Sequence, residues 1–352
     1  MHSRTRIAIV GWAVVICCTV GAIRAAQNAH VSRRIPALIV LHKADDTAMI
    51  VRLDTGERLA TFPTGHAPHE VAVSPDHRWA VVANYGDRDA PGHTLTVIDL
   101  HRLRVARTID LAPYTRPHGI MFLPNGHVIV TCEGRRSVVV VDLSRGQIVQ
   151  TVRTDADVSH MVAVPDRGDR AFVANIGSGS VTVIDLGNGT VLRHIPAGRG
   201  TEGIDVTRNG RWVFVTNRAE HTVARIDPEE GRVVQKAATC RMPIRVRLTP
   251  DERYLVVSCA RADAIAIHRA DDLAIETVLR VGAVPIGIVL APDGRTAYVA
   301  LTEADRIAVV DLSSRRVTRT IPTGDTPDGM AWVVVSEPQF MQNGGELLRH
   351  IE

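Results

Sequence analysis

The chain has 352 residues, of which 45% are hydrophobic, 22% are charged and only 4% are aromatic. This composition is typical of a globular protein with an aliphatic core, and it excludes a disordered or low-complexity chain. Residues 1–25 hold three arginines and no acid, so the remaining chain has equal numbers of basic and acidic residues. Such a balance gives no global attraction to nucleic acid or to an anionic membrane.

The N-terminus has the pattern of an export signal. Arg4 and Arg6 precede an apolar run at residues 7–23, and two alanines follow it. We therefore expect residues 1–25 to be a signal peptide or, because the run is as long as a short membrane span, an uncleaved anchor. In both cases the rest of the chain is exported, to the periplasm or the extracellular space, and only the anchor would contact a membrane.

The remaining sequence is built from repeats of short apolar strands separated by Pro-Asp, Pro-Asn or Asn-Gly turns. One equivalent position near the start of each repeat recurs at a spacing of 49 residues once and 42 residues five times; its occupants are His69, His118, His160, Glu202, Ile244, Ile286 and Asp328. Four short strands per repeat, with a period in the forties, predict a β-propeller, and seven repeats predict seven blades.

The last repeat has only its first strand, which starts at Asp328. The three missing strands match the apolar segments 37–42, 48–53 and 58–62 at the other end of the chain. We therefore predict an all-β, seven-bladed propeller of four-stranded antiparallel blades over residues 36–335. Its ring is closed by pairing of the N-terminal strands with the C-terminal strand, which removes exposed sheet edges. Residues 336–352 are expected to form a tail outside the propeller.

Several strand motifs resemble those of a known family. They are "AVVANYG" at 80–86, "AFVANIGSGSVTVIDL" at 171–186 and "WVFVTNRAEHTVARID" at 212–227. The chain is similar in them to the YVTN-repeat, lactonase-like seven-bladed β-propellers. The resemblance implies the same fold. It leaves the activity open, because such propellers include lactone hydrolases, lyases and proteins with no assigned chemistry.

Two positions of each blade are expected to meet at one face of the ring. They are the residue that opens the innermost strand and the residue 15 positions later, which closes the neighbouring antiparallel strand. Around the ring the pairs are Asp328/His42, His69/Asn84, His118/Glu133, His160/Asn175, Glu202/Asn217, Ile244/Cys259 and Ile286/Leu301. Five adjacent blades thus present polar groups and two present an apolar wall, as in a ligand pocket.

Three histidines from consecutive blades, followed by a glutamate, have the composition of a divalent-metal site. The predicted metal ligands are His69, His118, His160 and Glu202, and with Glu133 they are the catalytic candidates. Imidazole and carboxylate ligands suit Zn²⁺, Mn²⁺, Fe²⁺ or Cu²⁺ without distinguishing them. The predicted substrate-binding residues are His42, Asn84, Arg116, Asn175, Asn217, Arg245 and Asp328.

This site predicts hydrolysis or elimination on a small carboxylate- or lactone-containing substrate, by a protein that we expect to be a monomer. The alternative function is a non-catalytic periplasmic propeller that binds a ligand or a partner protein with the same face. Two alternatives to a metal centre also stay open: a polar ligand pocket without metal and a solvated channel lining, the latter being favoured for His42. Cys240 and Cys259 fall near one end of one repeat, where they would form a disulfide or remain two buried thiols.

Overall fold

The computed structural model describes residues 34–336 as an all-β fold of seven four-stranded antiparallel sheets. The inner strands of consecutive sheets contact each other around the ring, which makes the fold a seven-bladed β-propeller and confirms the predicted fold class. The helical elements of this range are two 3₁₀ turns, Glu133–Arg135 and Ala260–Ala262, and no helix in it is long and apolar enough to cross a membrane. The predicted signal or anchor, and all but the first residue of the predicted tail, lie outside the described residues.

Each blade takes four strands in chain order, except the last, which takes them from both ends. Blade 1 contains β4 Pro68–Val73, β5 Trp79–Gly86, β6 Pro91–Asp99 and β7 Arg104–Asp110. Blade 2 contains β8 Pro117–Phe122, β9 Val128–Cys132, β10 Ser137–Asp142 and β11 Gln147–Arg153. Blade 3 contains β12 Ser159–Ala163, β13 Arg170–Asn175, β14 Ser180–Asp185 and β15 Thr190–Pro196.

Blades 4 to 6 continue this order. Blade 4 contains β16 Thr201–Val206, β17 Val213–Asn217, β18 Thr222–Asp227 and β19 Arg232–Ala238. Blade 5 contains β20 Pro243–Leu248, β21 Tyr254–Cys259, β22 Ala264–Arg269 and β23 Ile275–Arg280. Blade 6 contains β24 Pro285–Leu290, β25 Thr296–Leu301, β26 Arg306–Asp311 and β27 Arg316–Pro322.

Blade 7 closes the ring with strands from both ends of the described chain. Its innermost strand is β28 Pro327–Ser336, and β1 Arg34–His42, β2 Thr47–Arg52 and β3 Arg58–Pro63 follow outwards. The predicted closure is therefore confirmed. Because β28 is hydrogen-bonded to β1, β1 has a strand on both sides and the two ends of the described chain stabilise each other.

The core lies between the blades and is made of aliphatic side chains. Between blades 7 and 1, for example, Ile39 and Ile50 belong to the same buried cluster as Val82 and Ile98. Successive side chains along a strand point to opposite faces of the blade. Because Val, Ile and Ala occupy both sets of positions, each sheet packs against both of its neighbours. This explains how a chain with so few aromatic residues fills its core.

A repeated irregularity at the start of the inner strands directs side chains towards the ring axis. In blade 1 the register jumps between Pro68 and Glu70, so His69 has no direct partner on β5. The same jump in blade 3, between Ser159 and Met161, leaves out His160. A bulge bends a strand locally and redirects the extra residue. The strand-opening residues therefore sit at one mouth of the ring rather than in the blade core.

The next residue in the repeat is glycine in four blades, because neighbouring inner strands approach closely there. A Cβ atom on Gly119 would lie 2.6 Å from the His160 carbonyl oxygen, and one on Gly329 would lie 2.2 Å from that of His69. The hydroxyl of Thr131 completes this junction, since it accepts from Gly119 N–H at 2.8 Å and donates to the His160 carbonyl at 2.6 Å. The backbone around the histidines is thus held by both packing and hydrogen bonds.

Candidate metal centre and its cavity

Three histidines from blades 1, 2 and 3 converge at one mouth of the ring. The ring centroids of His69 and His118 are 5.2 Å apart, and those of His118 and His160 are 3.7 Å apart. His118 is 2% exposed and His160 is 9% exposed. Side chains that lie 42 or 49 residues apart in sequence are therefore in direct contact in the fold.

Glu133 holds His160 from behind and is itself held by Tyr85. One carboxylate oxygen lies 2.5 Å from Nδ1 of His160, and the other accepts the Tyr85 hydroxyl at 2.6 Å. A carboxylate only accepts, so Nδ1 of His160 is the donor in this hydrogen bond, and Nε2 points away from Glu133. His69 is fixed in the same way, because its Nδ1 donates to the Ala67 carbonyl at 2.8 Å.

Burial keeps the imidazoles of His69 and His118 neutral. Desolvation, reinforced by the neighbouring His160 and His69, holds the pKa of His118 well below its usual value. Desolvation, together with the charge of Lys43, lowers the pKa of His69 to about 4. Burial, and then Glu133, raise the pKa of Tyr85 to about 12, so its hydroxyl remains a donor. Neutral imidazole is the form that binds a metal ion.

His118, Glu133 and His160 form a group with the dimensions of a metal site. Each offers one ligand atom, and these atoms all lie within 4.8 Å of one another. His118 Nδ1 is buried and has no hydrogen-bond partner, which is unusual for a native polar atom. Two imidazoles and a carboxylate are a donor set that transition metals accept.

The far side of this mouth is polar as well. Glu202 Oε1 lies 3.7 Å from His160 Nε2, and its other oxygen lies 3.0 Å from the Arg218 guanidinium. Arg245 forms a buried ion pair with Glu70 on the opposite side of the ring and lies 4.0 Å from Glu202. Asp328, from the closing blade, lies 3.3 Å from the Lys43 ammonium.

These groups surround a cavity of about 400 Å³. Its polar lining includes the three histidines, Tyr85 and Glu202, and one part of its wall, on blades 5 and 6, is apolar. The apolar wall consists of Met242, Ile244, Val284 and Ile286. Behind that wall, Cys259 forms a disulfide with Cys240, which resolves the choice between a disulfide and two free thiols.

A family model for "Lactonase, 7-bladed beta-propeller" matches residues 44–279, well over half of the chain. The chain belongs to this lactonase family of seven-bladed β-propellers. The family resemblance that the strand motifs predict is therefore confirmed, and the site described above is a site on a lactonase-family propeller. No curated protein matches the sequence significantly.

Solved structures share the fold at low sequence identity. Hydrazine synthase from Kuenenia stuttgartiensis has a TM-score of 0.65 at 18% identity, over 77% of this chain and 95% of its own. A protein of unknown function from Desulfotomaculum acetoxidans has a TM-score of 0.73 at 13% identity, over 86% and 99%. A candidate 6-phosphogluconolactonase from Bacteroides fragilis has a TM-score of 0.70 at 16% identity, over 85% and 98%. At such identities these neighbours establish the fold alone.

In this lactonase-family chain the predicted site residues divide into two groups. Those that line the cavity or touch its histidines are His69, His118, Glu133, His160, Glu202, Arg245 and Asp328. Arg116 lies at the rim, where its guanidinium is 5.5 Å from the centroid of the Tyr85 ring. The group of three potential metal ligands is His118, Glu133 and His160. The predicted ligand set instead combined His118 and His160 with His69 and Glu202, which also line the cavity.

Besides Arg116 at the rim, four predicted substrate-binding residues do not line this cavity. Asn84 donates to Thr94 and Thr96 inside its own blade. Asn175 and Asn217 accept from Ser159 and Thr201, and His42 accepts from the Gly324 N–H. These side chains tie the strands of a blade together, because the residue that closes the second strand points into its own sheet.

The register explains why Glu133 differs from those asparagines. Pro68 pairs with Asn84 in blade 1, but Pro117 pairs with Cys132 in blade 2, because the turn between β8 and β9 is one residue shorter. Glu133 is thus equivalent to Tyr85: each comes one residue after the partner of the proline that opens the inner strand. The backbone agrees, since Glu133 N–H donates to Arg116 O just as Tyr85 N–H donates to Ala67 O.

This next position supplies the cavity residues that the sequence analysis missed. Its occupants around the ring are Lys43, Tyr85, Glu133, Ile176, Arg218, Ala260 and Thr302. Lys43, Tyr85 and Arg218 line the cavity. The sequence signal was present, because long polar or aromatic side chains recur one residue after "LH", "AN" and "TN" on the polar side of the ring.

Proposed function

We propose that this protein is a metal-dependent hydrolase that opens a small lactone or a related ester. The observation that carries the proposal is the group of His118, Glu133 and His160, whose ligand atoms lie within 4.8 Å of one another in a cavity. Membership of the lactonase family supports the reaction class. The name of the Bacteroides fragilis neighbour also refers to a lactone as the substrate.

The residues fit a divalent metal. His118 offers an unpartnered buried nitrogen, and the Nδ1 hydrogen bonds of His69 and His160 leave their Nε2 atoms available. Fixing one ring nitrogen so that the other can bind is the usual arrangement around metal-ligating histidines. Glu133 serves as a ligand or as the group that orients His160. When bound, such a metal polarises a carbonyl group and acidifies a water molecule.

The protein side chains would supply the remaining steps. Glu202 faces the histidines at 3.7 Å and can take the proton of the attacking water. Arg245, paired with Glu70, presents a guanidinium that can donate to the carbonyl oxygen of the substrate. The apolar wall around Ile244 and Ile286 would exclude water from the other side of the ring.

Elimination at a carbon beside a carboxylate uses the same groups and is distinguished by its product. Hydrolysis of a lactone yields a hydroxy acid, whereas elimination yields an unsaturated acid that absorbs in the ultraviolet. We favour hydrolysis because Arg245, Lys43 and Arg218 are each already paired with an acid, so that none of these three cations is free to hold a second carboxylate.

The test compares lactone hydrolysis and metal content in three proteins. The wild type, loaded in turn with Zn²⁺, Mn²⁺ and Fe²⁺, should open simple lactones faster than the chelated protein. His118→Ala should lose about 10²-fold or more in kcat/KM together with the bound metal. His93→Ala is the matched control, because His93 is exposed and pairs with Asp110 outside the cavity. If the protein binds a lactone but no preparation contains bound metal or hydrolyses the lactone, the non-catalytic binding function would be favoured.

We further propose that the protein is exported. The Cys240–Cys259 disulfide supports this, because such bonds persist in oxidising compartments and are rare in the cytoplasm. Cell fractionation, with thiol labelling of the native protein, tests it. Protein found in the cytoplasm with two reactive thiols at these positions would refute it.

A further inference from the structure

Four buried side chains on the cavity each retain one polar atom without a hydrogen-bond partner, and two of them, His118 and Glu202, already have roles in the proposed metal-dependent hydrolysis. The other two are left for the recognition of a ligand. Their unpartnered atoms are Nη1 of Arg245 and Oδ1 of Asp328, and the side chains are 5% and 4% exposed. Native structures pair nearly all such atoms, because an unpaired buried donor or acceptor destabilises the fold. One of these atoms is a donor and the other is an acceptor.

Arg245 occupies a position at which the close approach of neighbouring inner strands favours glycine. The equivalent position is glycine in four other blades, since a Cβ on Gly203 would lie only 2.5 Å from the Ile244 carbonyl oxygen. Glu70 occupies the same position in blade 1, and the two side chains meet across the ring although 175 residues separate them. This buried ion pair of Glu70 and Arg245 is called the floor of the cavity.

The formal charges around the cavity are already balanced. Arg245 is paired with Glu70, Asp328 with Lys43 at 3.3 Å, and Glu202 with Arg218 at 3.0 Å. The exposed rim adds one further residue of each sign, Arg261 and Glu303. Arg116 beside Tyr85 offsets Glu133, which is hydrogen-bonded to His160, so cations and acids are equal in number. The unmet requirement at Arg245 and Asp328 is for hydrogen bonds, not for charge.

A ligand that meets this requirement offers an acceptor to Arg245 and a donor to Asp328, and it carries no net charge. We infer that the substrate is an uncharged lactone with a free hydroxyl group, received with its ester oxygens towards Arg245 and its hydroxyl towards Asp328. A phosphorylated lactone is disfavoured, because a phosphate group needs cations and Arg245, Lys43 and Arg218 are each already paired with an acid. This inference rests on the proposed function for the lactone group, and on the two unpartnered atoms for the hydroxyl.

The test measures binding to chelated protein, in which recognition is separated from turnover. The probes are α-hydroxy-γ-butyrolactone, its α-methoxy analogue, γ-butyrolactone and inorganic phosphate, with binding followed by ligand-observed NMR. The hydroxylated lactone should bind about tenfold or more tightly than the other two lactones, because only it satisfies the Asp328 oxygen. Phosphate at about 10 mM should not displace it.

Paired variants keep the buried charges balanced. Lys43→Met with Asp328→Leu should remove the preference for the hydroxylated lactone over γ-butyrolactone. Glu70→Gln with Arg245→Met should weaken all three lactones. Circular dichroism and a melting curve establish that each variant is folded. If Lys43→Met with Asp328→Leu does not fold, Asp328→Asn is used instead. In that variant the methoxy lactone should bind as tightly as the hydroxy lactone.

Equal affinity for the hydroxylated and plain lactones would overturn the inference, as would displacement by phosphate or no binding at all. A hydroxyl preference that persists without Asp328 would do the same. The proposed function is judged separately by metal content and hydrolysis. Selective binding without turnover would therefore refute the hydrolase and leave the recognition intact.

Discussion

Replacing Tyr85 by phenylalanine removes one hydroxyl group from the support of the histidine cluster. That hydroxyl donates to Glu133 at 2.6 Å, and the other oxygen of Glu133 holds His160. The aromatic ring, whose centroid lies 4.4 Å from that of His69, is kept. The change therefore tests the hydrogen bond and leaves the packing in place.

The expected size follows from the charge on the acceptor. A hydrogen bond to a charged group contributes about 1.5–3 kcal/mol, and loss of a group that orients a metal ligand typically costs about 10- to 100-fold in metal affinity. We expect Tyr85→Phe to keep the fold and to lose metal affinity within that range. Its free energy of unfolding should be lower than that of the wild type by about 1–3 kcal/mol.

The assay is competition between the protein and a calibrated chelator, followed for the wild type and two variants. Tyr254→Phe is the matched control, since Tyr254 begins β21 and does not line the cavity. The reasoning is refuted if Tyr85→Phe binds metal as tightly as the control, or if both variants lose affinity equally.

Three further predictions concern the fold and its pH dependence. Deleting residues 27–62 removes β1, β2 and most of β3, so cooperative unfolding should be lost; a sharp transition at the parent temperature would contradict the closure. Converting Cys240 and Cys259 to serine opens a link between residues 19 apart and should lower the free energy of unfolding by about 3 kcal/mol, read from denaturant curves; an unchanged midpoint would argue against the bond. The free energy of unfolding of the metal-free protein should fall as the pH is lowered from about 6.5 towards 4. The reason is that His69 has a pKa of about 4 in the folded protein, so the unfolded chain takes up a proton there more readily. The expected loss is on the order of 3 kcal/mol. His69→Asn should flatten that slope, and a wild type equally stable at both pH values would contradict the burial of a neutral imidazole.

The repeat pattern was sufficient to predict the fold, because strand alternation and a fixed period are local signals. It gave seven blades, closure by β28 and β1, and the alignment of His69, His118 and His160 at one structural position. It failed where the blades differ by a single residue. The shorter turn between β8 and β9 shifts Glu133 into the position of Tyr85, and only the strand register shows this.

The floor of the cavity could not be derived from the repeat in advance. Glu70 and Arg245 occupy a position that is otherwise glycine or methionine, which is a visible exception in the sequence. Their contact, however, joins blades 1 and 5 across the ring axis, and no pattern along the chain specifies which blades face each other. The unpartnered atoms of Arg245 and Asp328 depend on side-chain geometry and are likewise beyond sequence reasoning.

Metal binding by the histidine cluster can be observed in crystals grown with Zn²⁺, by diffraction recorded on both sides of the zinc absorption edge. We expect one anomalous peak per chain, about 2.0–2.2 Å from a nitrogen of His118 and a nitrogen of His160, and none in crystals of His118→Ala. A cavity that holds only water at full zinc loading, or a peak bound elsewhere on the chain, would contradict it.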